Sequence, residues 1–427
     1  MRLVFTFLCV MAVAMGSANA QRLLTDFGTA TTPGLSNGAS VVSNPVLIYT
    51  MKRILIVWVL LVSFSCAVAQ KLVDRQATDK TKALDQNLKK IGKAGILFGH
   101  QDSDAYGVKW KDEAGRSDIK DVCGDYPAIH GWDLGNLGKQ GQDAYFKKMH
   151  QSILDTYKRG GISTVSWHAD NPVSKKDAWD TTHAVYDILP GGKTHAYFVQ
   201  QLDLVADFLE NCKDGNASIP IIFRPYHEHN GNWFWWGKGL CSEKEYIQLW
   251  QFTVKYLRDT RKLHNLIYAF SPDRSRIKLE EGNQMYLYAY PGDDYVDILG
   301  LDDYMDVGVT WNKKSATEQQ QDFITVMRIV SRLAKEKNKV AALTETGLEG
   351  VTHPQWFTQV ILEPLKANRD IDVAYILVWR NDNEKHHYAP YLGHTSAPDF
   401  VRFYQDERSL FEGDIQNMYL LNKPLIK

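Results

Sequence analysis

The chain has 427 residues, 44% of them hydrophobic and 23% charged, with a formal net charge of −1. That is the composition of a folded protein with a large core, and it excludes an intrinsically disordered chain. It also has no basic block, so nothing in it favours nucleic acid or an anionic membrane surface as a partner.

The N-terminus carries the grammar of a secretory signal twice. Met1-Arg2 opens a basic start, an apolar run extends from Leu3 to Met15, and Ala18-Asn19-Ala20 precedes Gln21. Met51-Lys52-Arg53 then opens a second basic start, Ile54–Val62 is apolar, and Ala67-Val68-Ala69 precedes Gln70. Cleavage after the first signal would leave the second as a hydrophobic tail. We therefore expect translation to begin at Met51, residues 1–50 to be an upstream extension, residues 51–69 to be the signal peptide, and residues 70–427 to be one catalytic domain. The second apolar run is too short to span a bilayer comfortably, so no transmembrane span is expected. The expected destination is the periplasm or the extracellular space. Lipid attachment at Cys66 ranks second, because Ser63-Phe64-Ser65 is a poor lipobox. Beyond the leaders only Cys123, Cys212 and Cys241 remain, without CxxC spacing. This is neither a disulfide framework nor a zinc site, although one disulfide stays open.

From residue 71 onward, eight short apolar or β-branched runs recur: Gly95–His100, Tyr126–Leu134, Gly161–His168, Ile219–Glu228, Asn265–Asp273, Val296–Tyr304, Val340–Thr346 and Val373–Asn381. Helical patterns lie between them, as in Tyr197–Glu210, Lys244–Leu257 and Glu318–Lys337. Strands alternating with helices predict an α/β fold with a parallel sheet, and eight such units predict a single (β/α)₈ TIM barrel. In that fold the active site gathers at the C-terminal strand ends. His100, Asp133, His168, Glu228, Asp273, Asp302, Glu345, Trp379 and Arg380 all fall there.

Cleaving a glycosidic bond needs two carboxyl groups flanking it. Glu228 closes the fourth run and Glu345 the seventh, so a closed barrel sets them across its mouth. Side chains alternate along a strand. An inward Glu228 would then share its face with Tyr226, Arg224 and Ile222, and His227 would reach the site only if the strand ended near it. Glu345 would share a face with Leu343 and Ala341, and Tyr304 one with Asp302 and Gly300. Glu228 sits between the apolar run Ile219–Phe223 and the aromatic run Trp233-Phe234-Trp235-Trp236, which argues against a solvated surface charge. Glu345, His168 and Arg380 each have blander readings taken alone: turn material, a satisfied buried histidine, a surface ion pair. Trp235 and Trp236 can be core while only Trp233 faces sugar.

The run Arg224-Pro225-Tyr226-His227-Glu228-His229-Asn230-Gly231-Asn232-Trp233-Phe234-Trp235-Trp236-Gly237 closely resembles the acid/base signature of glycoside hydrolase family 26, the β-mannanase family. Gly99-His100-Gln101, Ser166-Trp167-His168-Ala169-Asp170-Asn171-Pro172, Gly300-Leu301-Asp302-Asp303-Tyr304, Thr344-Glu345-Thr346-Gly347 and Trp379-Arg380-Asn381 agree with that family in order. The resemblance implies a retaining endo-β-1,4-mannanase acting by double displacement on mannan, galactomannan or glucomannan. Glu345 would be the nucleophile and Glu228 the general acid/base, with the two carboxyl groups about 5–5.5 Å apart. Glu228 should enter protonated, and Glu345 ionised and held by donors such as Tyr304 or Arg380. His168, Trp179, His227, Trp233, Tyr304, Trp379 and Arg380 would contact the sugar at the cleaved bond or orient the glutamates. No cofactor and no metal is expected, since the two carboxylates suffice.

Three alternatives stand beside this reading. The family includes enzymes acting on β-1,3-xylan and mixed-linkage glucan. A metal-dependent barrel hydrolase would use His227-Glu228-His229, although that spacing is unlike the i, i+4 pair of a zinc protease. A non-catalytic glycan-binding protein would keep the groove, yet both carboxylates are present here.

Overall fold

The computed structural model describes residues 72–427. The two leader segments, with Cys9 and Cys66, lie outside the described residues.

Eight parallel strands close on themselves: β1 (Ile96–Gln101), β2 (Ile129–Asp133), β3 (Ile162–Trp167), β4 (Ile221–Pro225), β5 (Leu266–Phe270), β6 (Ile298–Asp303), β7 (Val340–Thr346) and β8 (Tyr375–Val378). Each pairs with the next, and β8 returns to β1 from Leu97↔Tyr375 to His100↔Val378. The short strand Ser409–Leu410 adds to the first residues of β1. Seven of the eight expected runs contain their strand, the first stops one residue short at His100, and the predicted (β/α)₈ barrel is the observed one.

Parallel strands require crossover connections, and helices such as Asp143–Arg159, His195–Glu210, Glu243–Lys255 and Ala316–Glu336 supply them. The last of these shows how sequence sets an element. Ser315 and Glu318 form a reciprocal capping box at its start. Phe323, Val326, Met327, Val330 and Leu333 then fall on one stripe and are buried.

Two apolar clusters follow from the strand period of two. Leu97, Ile129, Ile222, Ile267, Ile298 and Tyr375 fill the barrel interior. Their chain neighbours Phe98, Phe223, Tyr268, Leu299 and Ile376 pack outward against the helices. Full burial of each such side chain contributes about 1.5–3 kcal/mol. This apolar floor leaves the C-terminal mouth as the place where inward polar side chains can sit.

The alternation fails at two strand ends. β4 stops at Pro225, and Tyr226 takes φ +51°. The Tyr226 side chain therefore leaves the expected inward face and packs outward, with its hydroxyl 3.0 Å from Thr253 Oγ1. On β7 the register against β6 steps from Leu301↔Leu343 to Asp302↔Glu345, so Thr344 is an extra residue. That bulge re-aims the strand end. Glu345 consequently does not share a face with Leu343 and Ala341, which belong to the outer cluster. Thr344 and Glu345 both engage groups inside the mouth.

Candidate active site

The turn after β4 carries the densest chemistry. Tyr226 and Glu228 both adopt left-handed backbone, at φ +51° and +54°. Such strain in non-glycine residues costs roughly 1–3 kcal/mol each and persists only where the surroundings over-determine it. Here they do. Tyr246 Oη donates to the Tyr226 carbonyl at 2.9 Å, and Trp236 Nε1 to the His227 carbonyl at 2.8 Å. Glu228 N donates to Ser271 O at 2.8 Å, and Asn230 exchanges two bonds with Asp273 at 2.7 and 2.8 Å. Because the strand ends early, His227 and Glu228 both reach the mouth.

Trp233 Nε1 donates to Glu228 Oε2 at 2.6 Å. The Trp233 ring folds back so closely over Gly231 that a Cβ there would lie 2.3 Å from it, which accounts for the glycine in this motif. Arg276 packs over the same ring, 5.2 Å from its centre. Trp235 and Trp236 are fully buried core residues.

Glu345 sits in a different field. Arg224 donates from Nη2 to Glu345 Oε2 at 2.5 Å and from Nη1 to Asp302 Oδ2 at 2.7 Å. Tyr304 Oη donates to Glu345 Oε1 at 2.9 Å, as expected. Arg380 does not hold Glu345. Its guanidinium donates to Tyr106 Oη at 3.2 Å, because β8 ends at Val378 and turns Arg380 toward the loop after β1. Arg224 takes the expected role from inside the barrel. A buried cation needs an acid partner, and the place of Arg224 on the inward face of β4 is the signal that could have identified it.

These surroundings differ in charge. Burial, then the negative charges of Asp302, Glu345 and Asp273, raise Glu228 well above the usual carboxylate range; the Trp233 N–H opposes this. Burial also pushes Asp302 up, but Arg224, Ser271 and Thr344 all donate to it. Donors to the charged form favour it. Arg224 serves both Asp302 and Glu345, so Glu228 is the carboxyl of these three that has no cation beside it.

His168 Nδ1 lies 2.7 Å from Asp133 Oδ2. Burial would lower His168, but Asp133 raises it, while His168 brings Asp133 down to about 2. The two form an ion pair. His168 Nε2 meets His227 Nε2 at 3.2 Å, and burial followed by Arg224 holds His227 well below the usual imidazole range. Neutral His227 therefore sits against charged His168. The exposed Trp179 stacks on His168 at 5.2 Å and 14°, and Trp379 approaches the same ring at 6.1 Å. Of the seven expected contact residues, Trp233 and Tyr304 bond the two glutamates, His227 meets His168, and His168, Trp179, Trp379 and Arg380 line one adjoining cavity.

Two strand-end residues do not join the site. His100 faces outward, is buried, and is lowered to about 3 by burial. Asp273 caps the turn at Ser275. His229 turns away to Tyr288 O and stacks on Tyr246, so His227 and His229 do not converge on one point. Among the described residues no group of three or more His, Cys, Asp or Glu side chains is placed to hold a metal ion. Cys123, Cys212 and Cys241 are free thiols, not joined in a disulfide. Among the described residues no helix is long and apolar enough to cross a membrane.

Comparison with known proteins places this geometry. The model of "Glycosyl hydrolase family 26" matches residues 73–387. A "Mannan endo-1,4-beta-mannosidase" of Bifidobacterium adolescentis is 35% identical over 364 residues, covering 79% of this chain and 35% of that protein. One from Bacillus subtilis is 32% identical over 224 residues, covering 48% of this chain and 57% of the relative. The chain thus spans about a third and just over half of these relatives. Among solved structures, a GH26 beta-mannanase from Bacteroides ovatus superposes with a TM-score of 0.74 at 39% identity, covering 81% of this chain and 98% of that one. A modular endo-beta-1,4-mannanase from Cellulomonas fimi gives 0.75 at 34% identity, covering 84% and 80%.

Proposed function

The chain belongs to glycosyl hydrolase family 26, and from that premise we propose that it is a retaining endo-β-1,4-mannanase, with Glu345 as nucleophile and Glu228 as general acid/base. The observation that carries this is the contrast between the two carboxyls. Glu345 is held by Arg224 and Tyr304, whereas Glu228 has only the Trp233 N–H and is pushed toward its protonated form. Two carboxyl groups in such unlike surroundings suit the two roles of double displacement.

The ionised Glu345 attacks the anomeric carbon while Glu228 gives its proton to the leaving oxygen. The glycosyl bond to Glu345 neutralises that carboxylate, so its negative pressure on Glu228 falls. Glu228, now ionised, takes a proton from water as that water displaces the sugar, and the starting state returns. His168, Trp179, His227, Trp233, Tyr304, Trp379 and Arg380 flank the reacting sugar. Tyr304 and Trp233 also fix the two glutamates. The chemistry needs no cofactor.

The names of the relatives support mannan as substrate. The N-terminal signal grammar supports export to the periplasm or beyond. Initial rates on mannan, galactomannan, β-1,3-xylan and lichenan test the proposal. Rates should be highest on the mannans. Activity on xylan or lichenan alone would reassign the substrate within the family, and inertness on every β-glycan would reject a hydrolase.

A further inference from the structure

The loop after β8 runs from Trp379 to Ser396, ahead of the helix Ala397–Tyr404, and its only β pairing is the bridge between Asn383 and His386. An ordered loop longer than about 12–15 residues without regular structure is usually functional. Its Tyr388 meets the ring of Tyr304, which bonds Glu345, with 5.9 Å between ring centres. In the same loop His387 Nε2 and His394 Nε2 face each other at 3.3 Å, the rings inclined at 75°. His394 Nδ1 lies 2.8 Å from Ser396 Oγ and accepts from Ser396 N at 3.2 Å. His387 Nδ1 is buried with no partner at normal hydrogen-bond geometry, while the carbonyls of Asn383 and Glu384 favour a hydrogen on it. Burial lowers both imidazoles, so both are neutral at neutral pH, and the Gly350 carbonyl draws positive charge toward both.

We propose that His387 and His394 bind a divalent ion of the first transition row, zinc foremost, which staples this loop. Neutral imidazole suits zinc, copper and nickel. With zinc–nitrogen bonds of about 2.0–2.1 Å, two ligands of a tetrahedral ion stand about 3.3–3.4 Å apart, which is the spacing of the two Nε2 atoms. Without the ion, His394 Nε2–H donates to His387 Nε2. Binding moves that hydrogen to His394 Nδ1, where Ser396 Oγ accepts it, the outer partner that a metal-bound histidine requires. The pair His168 and His227 has nearly the same spacing, 3.2 Å, but Asp133 keeps His168 charged, so its Nε2 carries a hydrogen and has no lone pair to give. His387 is buried and His394 half-buried, so the ion enters past His394. Water supplies the remaining positions, which makes this a weaker site than a zinc centre with four protein ligands. The ion takes no part in hydrolysis.

The test titrates Zn²⁺ alone into chelator-treated full-length protein by calorimetry and records melting curves with and without the ion. The wild type should bind one ion per chain, and zinc at a hundred times its Kd should raise Tm by about 3–4 °C. His387→Ala and His394→Ala should each weaken binding by at least about tenfold and abolish the rise in Tm. Ser396→Ala keeps both ligands and removes the outer acceptor, and it should weaken binding about tenfold. The melting curves without zinc check that each variant is folded. No binding by the wild type would overturn the assignment. So would equal binding by the wild type and both histidine variants, or binding that survives in them and is lost in His227→Ala, because the ion would then sit elsewhere.

Discussion

Replacing Trp233 by Phe isolates how the acid is tuned. The change keeps an aromatic ring beneath Arg276 and removes the N–H that reaches Glu228 Oε2 at 2.6 Å. A hydrogen bond to a charged group contributes about 1.5–3 kcal/mol, and one pKa unit corresponds to about 1.4 kcal/mol. The indole bonds the neutral carboxyl too, only less strongly, so the difference between the two forms is about half the total. That is about one unit. The indole favours the carboxylate, so its loss raises Glu228 further. Glu228 must enter protonated, and the alkaline limb of kcat/KM follows its free-enzyme value. That limb should move up by about one pH unit on a soluble mannan, while the acid limb stays in place. An alkaline limb that stays put, or moves down, would refute the assignment of the acid and the direction of its tuning.

The same carboxyl has a cost in stability. Its folded-state pKa lies above its unfolded one, so the stability it contributes is full below the unfolded value and falls as pH rises toward the folded one, by about 1.4 kcal/mol per pH unit. Glu228→Gln removes that loss. The variant should melt higher than the wild type, with a gap that widens with pH above about 4.3; a gap independent of pH would contradict it. Tyr246→Phe removes the donor to the Tyr226 carbonyl and leaves that buried acceptor unpaired beside a strained residue. Chemical denaturation should show a loss of about 1–3 kcal/mol, with kcat falling as the turn relaxes. Full stability and rate would show that this bond does not hold the turn.

Much of this site was legible in the sequence because a barrel has few strand ends and its polar functional residues gather at them. The eight apolar runs located the strands, and the positions of Glu228 and Glu345 in the fourth and seventh placed them across one mouth. The limits came where backbone departs from its period. Alternation cannot foresee the left-handed Tyr226 or the extra residue at Thr344, since both are set by tertiary partners such as Tyr246 and Asp302 rather than by local propensity. Alternation sets Arg224 on the inward face of β4, but it does not show which carboxyl that guanidinium meets across the barrel.

The role of Glu345 is the central claim, and covalent capture tests it most directly. A 2-deoxy-2-fluoro-β-mannosyl fluoride slows both steps and accumulates the glycosyl-enzyme. Mass analysis of its peptides should find the sugar on Glu345, with Glu345→Ala neither labelled nor active. A label on Glu228 or on any other residue, or steady hydrolysis by Glu345→Ala, would contradict the account.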